Sequence, residues 1–115
     1  NDAVYQNTRR FILSDANPYY FTGEFARGVG SPHIPGRMIW PISLAMQGLT
    51  STDPAEKRYL VETLMATTAN TNYMHESFDP DNPAKFTRAW FAWANSLFAE
   101  FIMNWVNEPA TSRGQ

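Results

Sequence analysis

Residues 86–106 carry more apolar surface than a small helical domain can hide. At 3.6 residues per turn, Trp90, Phe91, Trp93, Ala94, Leu97, Phe98, Phe101, Ile102 and Trp105 cover well over half the circumference of a helix predicted over 86–106. A surface helix needs one apolar stripe, so one that is apolar nearly all round must be covered on several sides. The rest of the 115-residue chain offers three shorter helices, which can cover only part of it. This segment therefore predicts tight association, or a larger helical body of which these residues are a piece.

The other periodic segments are helical as well. Val4, Thr8, Phe11 and Ile12 share one face of a helix predicted over 2–14. Ile42, Ala45, Met46 and Leu49 form the stripe of a second over 39–50, with Pro41 in its first turn. Asp53 reads as the N-cap of a third, with Pro54 at the first helical position and Glu56 completing a capping-box pattern. That helix turns Leu60, Val61, Leu64 and Met65 inward, and Asn70 fits a left-handed stop. No segment shows a convincing two-residue period, so the expected class is all-α. Between the first two helices, 15–38 contains four Gly and three Pro, yet it is too aromatic and too poor in charge for a disordered linker. Long ordered loops in compact domains tend to carry function. The tail 107–115 is expected to fray.

Bulk properties exclude several partners. With 9 Lys+Arg against 11 Asp+Glu, net −2, no basic stripe exists to grip nucleic acid. Cysteine is absent, which rules out disulfides and thiolate metal sites without fixing a compartment. No run of 18 apolar residues predicts a membrane span, and Asn1 opens no signal-peptide pattern. The chain begins without Met, so a start upstream is expected and the localisation stays open. Four Trp, five Tyr and eight Phe suit either a dense core or a sugar-binding surface.

Most motifs dissolve on inspection. The glycines of "GEFARGVG" follow no strand and miss the dinucleotide spacing. Asp79, Asp81 and Asn82 hint at a calcium loop, but Pro80 and Pro83 intrude and its Gly and Glu are missing. His75-Glu76 lacks the second His of a zinc helix, and with two His in the chain no protein-built metal site or cofactor is expected. Nothing singles out Ser31 or Ser77 as a nucleophile.

Three features remain. Asn, Asp and Pro crowd 70–83, yet Met74 and Phe78 bracket His75 and Glu76 inside it. Either the apolar pair simply pins a loop, with Glu76 solvated, or the loop mounts Glu76 for chemistry. His33 in "GSPHIP" and Trp40 in "IWP" likewise read as packing residues or as ligand contacts.

At these segments the chain resembles a known family. "GVGSPHIPGRMIWPISLAMQGLTS" (28–51), "TTANTNYMHESFD" (67–79) and "FTRAWFAWANSLFAEFI" (86–102) are similar to the C-terminal part of glycoside hydrolase family 125, the exo-α-1,6-mannosidases. The resemblance implies an (α/α)6 barrel, six inner helices ringed by six outer ones, with the site in loops at one end. Residues 1–115 would then be the C-terminal segment of the catalytic domain, about four helices with long functional loops, needing the remainder of the barrel as partner. It implies an inverting, metal-independent reaction on a mannose-containing oligosaccharide. In such a reaction a carboxylic acid protonates the leaving oxygen, and a carboxylate base activates water on the opposite face. The family's base is the glutamate of "HES", which falls on Glu76. Its acid matches no residue here, and neither Asp79 nor Glu24 takes that role. His75, His33, Ser31, Arg37 and Trp40 are the expected substrate-binding residues, with Tyr73 a second ring face. Departures are modest: Asn70 and Asn72 stand where "TTAGTGFMHESF" has glycines, and Asn tolerates positive φ. Tyr73 replaces a Phe, and Ile34 replaces a Thr.

Two other readings fit the same residues. One is a non-catalytic carbohydrate-binding or helical interaction module. The other is a different (α/α)6 glycosidase, such as an α-glucosidase.

Overall fold

The structure, a computed structural model, describes residues 2–108. Its elements are α1 (Asp2–Ile12), β1 (Tyr20–Thr22), β2 (Arg27–Val29), α2 (Pro41–Thr50), α3 (Pro54–Ala66), β3 (Ser77–Phe78), β4 (Phe86–Thr87) and α4 (Ala92–Val106). Four helices stand where four were expected, but all four are shorter, and four strands join them.

The strands explain the shorter helices. β1 and β2 pair antiparallel, Tyr20 opposite Val29 and Thr22 opposite Arg27. β3 and β4 pair likewise, Ser77 opposite Thr87 and Phe78 opposite Phe86. Ile39 joins the two hairpins through single bridges to Gly30 and to Phe78. Its N–H donates to Phe78 O at 2.8 Å, and its carbonyl accepts from Phe78 N–H at 2.9 Å. So Ile39 is committed to a ladder, and α2 begins at Pro41 rather than at 39. Phe86 and Thr87 are committed in the same way, and α4 begins at Ala92 rather than at 86. The sequence expectation of no strands is thus corrected. Runs of two or three residues are too short for alternation to register.

Side-chain chemistry sets the ends of α3. Asp53 accepts from Ala55 N–H at 2.9 Å, the predicted N-cap. Glu56 does not close the capping box, because its carboxylate is taken by Arg9 at 2.6 Å and Gln47 at 2.7 Å. The helix stops at Ala66, short of the predicted 70. Thr67 turns its hydroxyl back to Thr63 O at 2.9 Å, and the backbone then enters the left-handed region at Ala69 (φ 52°) and Asn70 (φ 64°).

α2 packs against both α3 and α4. Gly48 makes the second contact possible: a Cβ there would lie 2.2 Å from the Phe101 ring. Ile39, Leu44, Leu60, Phe78 and Phe101 are fully buried at the centre. The outer faces stay bare, with Trp93 71% exposed and Val4 65% exposed. This is the surplus of apolar surface that the sequence foretells. Of the tail expected to fray from 107, Asn107 donates to Met103 O at 3.2 Å and Glu108 pairs with the buried Lys57. Residues 109–115 lie outside the described residues. No helix among the described residues is long and apolar enough to cross a membrane.

Polar contacts from Tyr5 and Arg9 tie α1, which buries no residue of its own, to α2 and α3. Tyr5 donates to Thr50 O at 3.2 Å, and Arg9 reaches Thr50 Oγ1 at 3.0 Å and Glu56 at 2.6 Å. Burial pushes the Glu56 carboxyl up, but hydrogen bonds from Ser51 and Gln47 and the Arg9 guanidinium outweigh it, leaving it below its ordinary value of 4.5. A depressed carboxyl stabilises the fold above its unfolded value and stops doing so as pH falls through the folded value. Acidification from about pH 5 toward 3 should therefore loosen α1 before the α2–α4 core. Hydrogen exchange read helix by helix should show this order, and Glu56→Gln should flatten the pH dependence of α1 protection.

Candidate active site

The run Met74–Phe78 is buried at every position, although the chain on either side of it turns repeatedly. The left-handed residues Asn70 and Asn72, both at φ 64°, bring the chain in. Asn is among the non-glycine residues that adopt this conformation at least cost. Asp79 takes it out: its carboxylate accepts from Asp81 N–H at 2.8 Å and Asn82 N–H at 3.3 Å, shaping the turn to β4. Asp79 is therefore employed in a turn.

Residues 87–91 clasp the buried run from one side. Glu76 N–H is shared between Thr87 O at 3.1 Å and Arg88 O at 3.3 Å. Ser77 and Thr87 hydroxyls bond at 2.6 Å. Phe91 N–H donates to Met74 O at 3.0 Å. From α4, Asn95 completes the clasp: its Oδ1 accepts from Met74 N–H at 3.0 Å, and its Nδ2 donates to Met74 O at 3.3 Å and Phe91 O at 2.9 Å. These backbone groups of the loop are thus satisfied by main-chain groups of 87–91 and by the Asn95 side chain, where no long strand or helix can do it.

The functional groups sit on this mount. Glu76 is 6% exposed, and Arg88 Nε lies 3.4 Å from its Oε2. His75 is 1% exposed and stacks on Phe86, centroids 4.1 Å apart and planes 8° from parallel. Its Nδ1 lies 2.9 Å from Ala89 O. A carbonyl can only accept, so Nδ1 carries the proton, and in the neutral ring Nε2 is an acceptor. That Nε2 is buried without a protein partner among the described residues, and so is Trp40 Nε1. Buried polar atoms are rarely left unpaired, so the two nitrogens suit a group that both donates and accepts, such as water or a sugar hydroxyl.

The other sequence-predicted residues divide. Trp40 follows Ile39 in the ladder and packs edge-on against Phe91 and His33, centroids 6.1 Å away in each case. His33 is exposed, and its N–H donates to Ser31 Oγ at 3.1 Å, so these two stand together beside Trp40. Arg37 is engaged elsewhere: it donates to Thr22 O at 2.5 Å and pairs with Asp81 at 3.2 Å. Glu24 N–H and then Arg37 hold the Asp81 carboxyl below its ordinary value, an electrostatic tie between loops. Among the described residues no three His, Asp or Glu side chains gather as a metal site. An apolar groove of about 260 Å³, lined by Tyr5, Ile12, Val29 and Met46 among others, contains none of the candidate residues.

Asn95, Arg88 and Thr87 escaped the sequence reading. An amide in the apolar run "FAWANSLFAEF" was the signal for Asn95. Arg88 has φ 45°, a left-handed conformation costing about 1–3 kcal/mol for such a residue.

Comparison with known proteins sets this geometry in context. A family model described as metal-independent α-mannosidase matches residues 1–103. The meiotically up-regulated gene 157 protein of Schizosaccharomyces pombe is 50% identical over 105 residues, covering 90% of this chain and 21% of that protein. A metal-independent α-mannosidase of Streptococcus pneumoniae, solved in a non-productive complex with α-1,6-mannobiose, is similar at 49% identity and a TM-score of 0.88. That match covers 92% of this chain and 25% of the other, so the chain spans about a fifth to a quarter of these relatives. Its helices take the place of one portion of an (α/α)6 barrel.

Replacing Asn95 with Leu should leave Met74 N–H unpaired and Met74 C=O with Phe91 N–H alone, destabilising the protein by about 1–3 kcal/mol. The urea midpoint should drop accordingly, and amide exchange at 74–78 should quicken.

Proposed function

We propose, from the premise that this chain belongs to glycoside hydrolase family 125, the metal-independent α-mannosidases, that Glu76 is the general base of an inverting exo-α-1,6-mannosidase. The single observation that carries the proposal is the carboxylate of Glu76, 6% exposed on a wholly buried run whose backbone is clasped by 87–91 and Asn95. A general base must be ionised and held within hydrogen-bond reach of one water. A wandering loop glutamate is not held in place, whereas this mount fixes the position of Glu76.

In this reading Glu76 takes a proton from water as the water attacks the anomeric carbon of a terminal mannose. The glycosidic bond breaks, and an acid protonates the departing oxygen. Inversion requires the two carboxyls roughly 6.5–9.5 Å apart, leaving room for the water. No residue of this chain is assigned as the acid, so it belongs to the remainder of the barrel. His75 Nε2 and Trp40 Nε1 offer an acceptor and a donor to sugar hydroxyls, while His33 and Ser31 stand beside Trp40 at the rim. Arg37, tied to Asp81 and Thr22, is the weakest of the proposed contacts. The substrate class is suggested by the α-1,6-mannobiose bound to the Streptococcus pneumoniae relative. Residues 1–115 serve as the C-terminal segment of the catalytic domain.

In the full-length protein Glu76→Gln should lower kcat on α-1,6-mannobiose by about 10²–10⁴-fold with folding unchanged. Near-normal release of mannose would remove Glu76 from the mechanism. Binding of mannobiose without release by the unmutated protein would favour a binding module, and faster release from glucosides would favour an α-glucosidase. The 115-residue chain by itself should release no mannose, because half of the carboxylate pair is absent. Its bare apolar faces should also make it aggregate. Size-exclusion chromatography and a mannose-release assay check both points.

A further inference from the structure

We infer that Arg88 is a positioning residue for the Glu76 carboxylate, an inference that rests on the reading of Glu76 as base. Three observations converge on it. The segment 87–91 touches the buried run with main-chain groups at Ala89 and Phe91 and with Thr87 divided between Glu76 and Ser77, but at Arg88 both the carbonyl and the side chain are directed to residue 76. The carbonyl accepts from Glu76 N–H at 3.3 Å, and Nε lies 3.4 Å from Oε2. To do both, Arg88 adopts φ 45°, a conformation that disfavours every side chain and suits glycine.

The chemistry of the pair explains why an arginine stands where glycine would be easier. Glu76 is buried and, among the described residues, has Arg88 as its cationic partner, whereas the guanidinium side chain is 69% exposed. The guanidinium meets the carboxylate at Oε2, so in this reading Oε1 is the oxygen that takes the proton of the attacking water. The guanidinium's exposed end stays solvated, so the pair does not strand a buried cation. Arg88 therefore fixes the direction in which the base presents its free oxygen, and a carboxylate that swings loses reach to the attacking water.

The conformational strain provides a clean test in the full-length enzyme. Arg88→Gly removes the guanidinium and relieves the backbone at once, so a purely structural residue would become more stable and stay active. The expected result is the reverse split: melting temperature kept or raised, kcat on α-1,6-mannobiose down about 10–100-fold, and KM little changed. Arg88→Lys should recover part of the loss. Arg88→Asn, which also tolerates positive φ, repeats the measurement if the glycine variant folds poorly. On a Glu76→Gln background, Arg88→Gly should have little further effect, because the carboxylate it orients is gone. Retention of kcat within about two-fold would overturn the role. So would an equal loss on both backgrounds, which would place the guanidinium on the sugar instead. Full activity of Glu76→Gln alone would instead sink the base assignment itself, a result visible before any Arg88 variant is made.

Discussion

The exchange of two hydrogen bonds between Ile39 and Phe78 is the constraint on which the structure turns. Both residues are completely buried, so these backbone groups have no water to fall back on. An unmade bond there would cost about 1–3 kcal/mol per orphaned group. The bridge links two hairpins that are far apart in sequence, β1–β2 through Gly30 and β3–β4 through Phe78. It also sets Trp40 and the start of α2 next to the segment carrying His75 and Glu76. Without it the candidate residues would lie on unrelated loops.

A buried stretch of polar residues survives only where each polar group finds a partner. Here satisfaction comes from irregular sources: three successive residues of 87–89 offer carbonyls, and one amide side chain on α4 serves Met74. The exceptions are informative. His75 Nε2 and Trp40 Nε1 are the buried side-chain polar atoms without a partner among the described residues; one lies next to Glu76 in the chain, the other next to Ile39, which bridges to Phe78.

The same structure leaves large aromatic surfaces bare on α1 and α4. A chain that spans about a fifth to a quarter of its relatives meets that surplus naturally, since the helices of a ring bury their flanks against neighbours. Gly48 against Phe101 shows how closely such helices approach when both partners are present. Chemistry follows the same division. The Glu76 carboxylate and its mount are local to residues 39–95, and under the proposed mechanism the second carboxyl would come from elsewhere in the ring.

Four helices, the cap at Asp53, the excess of apolar surface over 86–106 and the candidate glutamate in its turn-rich setting were all legible in the residues. Each of these is a local matter of period, capping chemistry or composition, and it needs no knowledge of what lies across the fold. The left-handed turns at Asn70 and Asn72 were legible too, because the conformational tolerance of Asn is intrinsic. Tertiary structure alone decided that Ile39, Phe86 and Thr87 leave their helical patterns for a ladder, that Arg37 holds loops together, and that Asn95 and Arg88 grip the run from Met74 to Phe78. These are pairings across 8 to 44 residues of chain, and for all but the exposed Arg37 tie their value comes from burial at the contact. A burial that depends on two distant segments meeting leaves no period in either one.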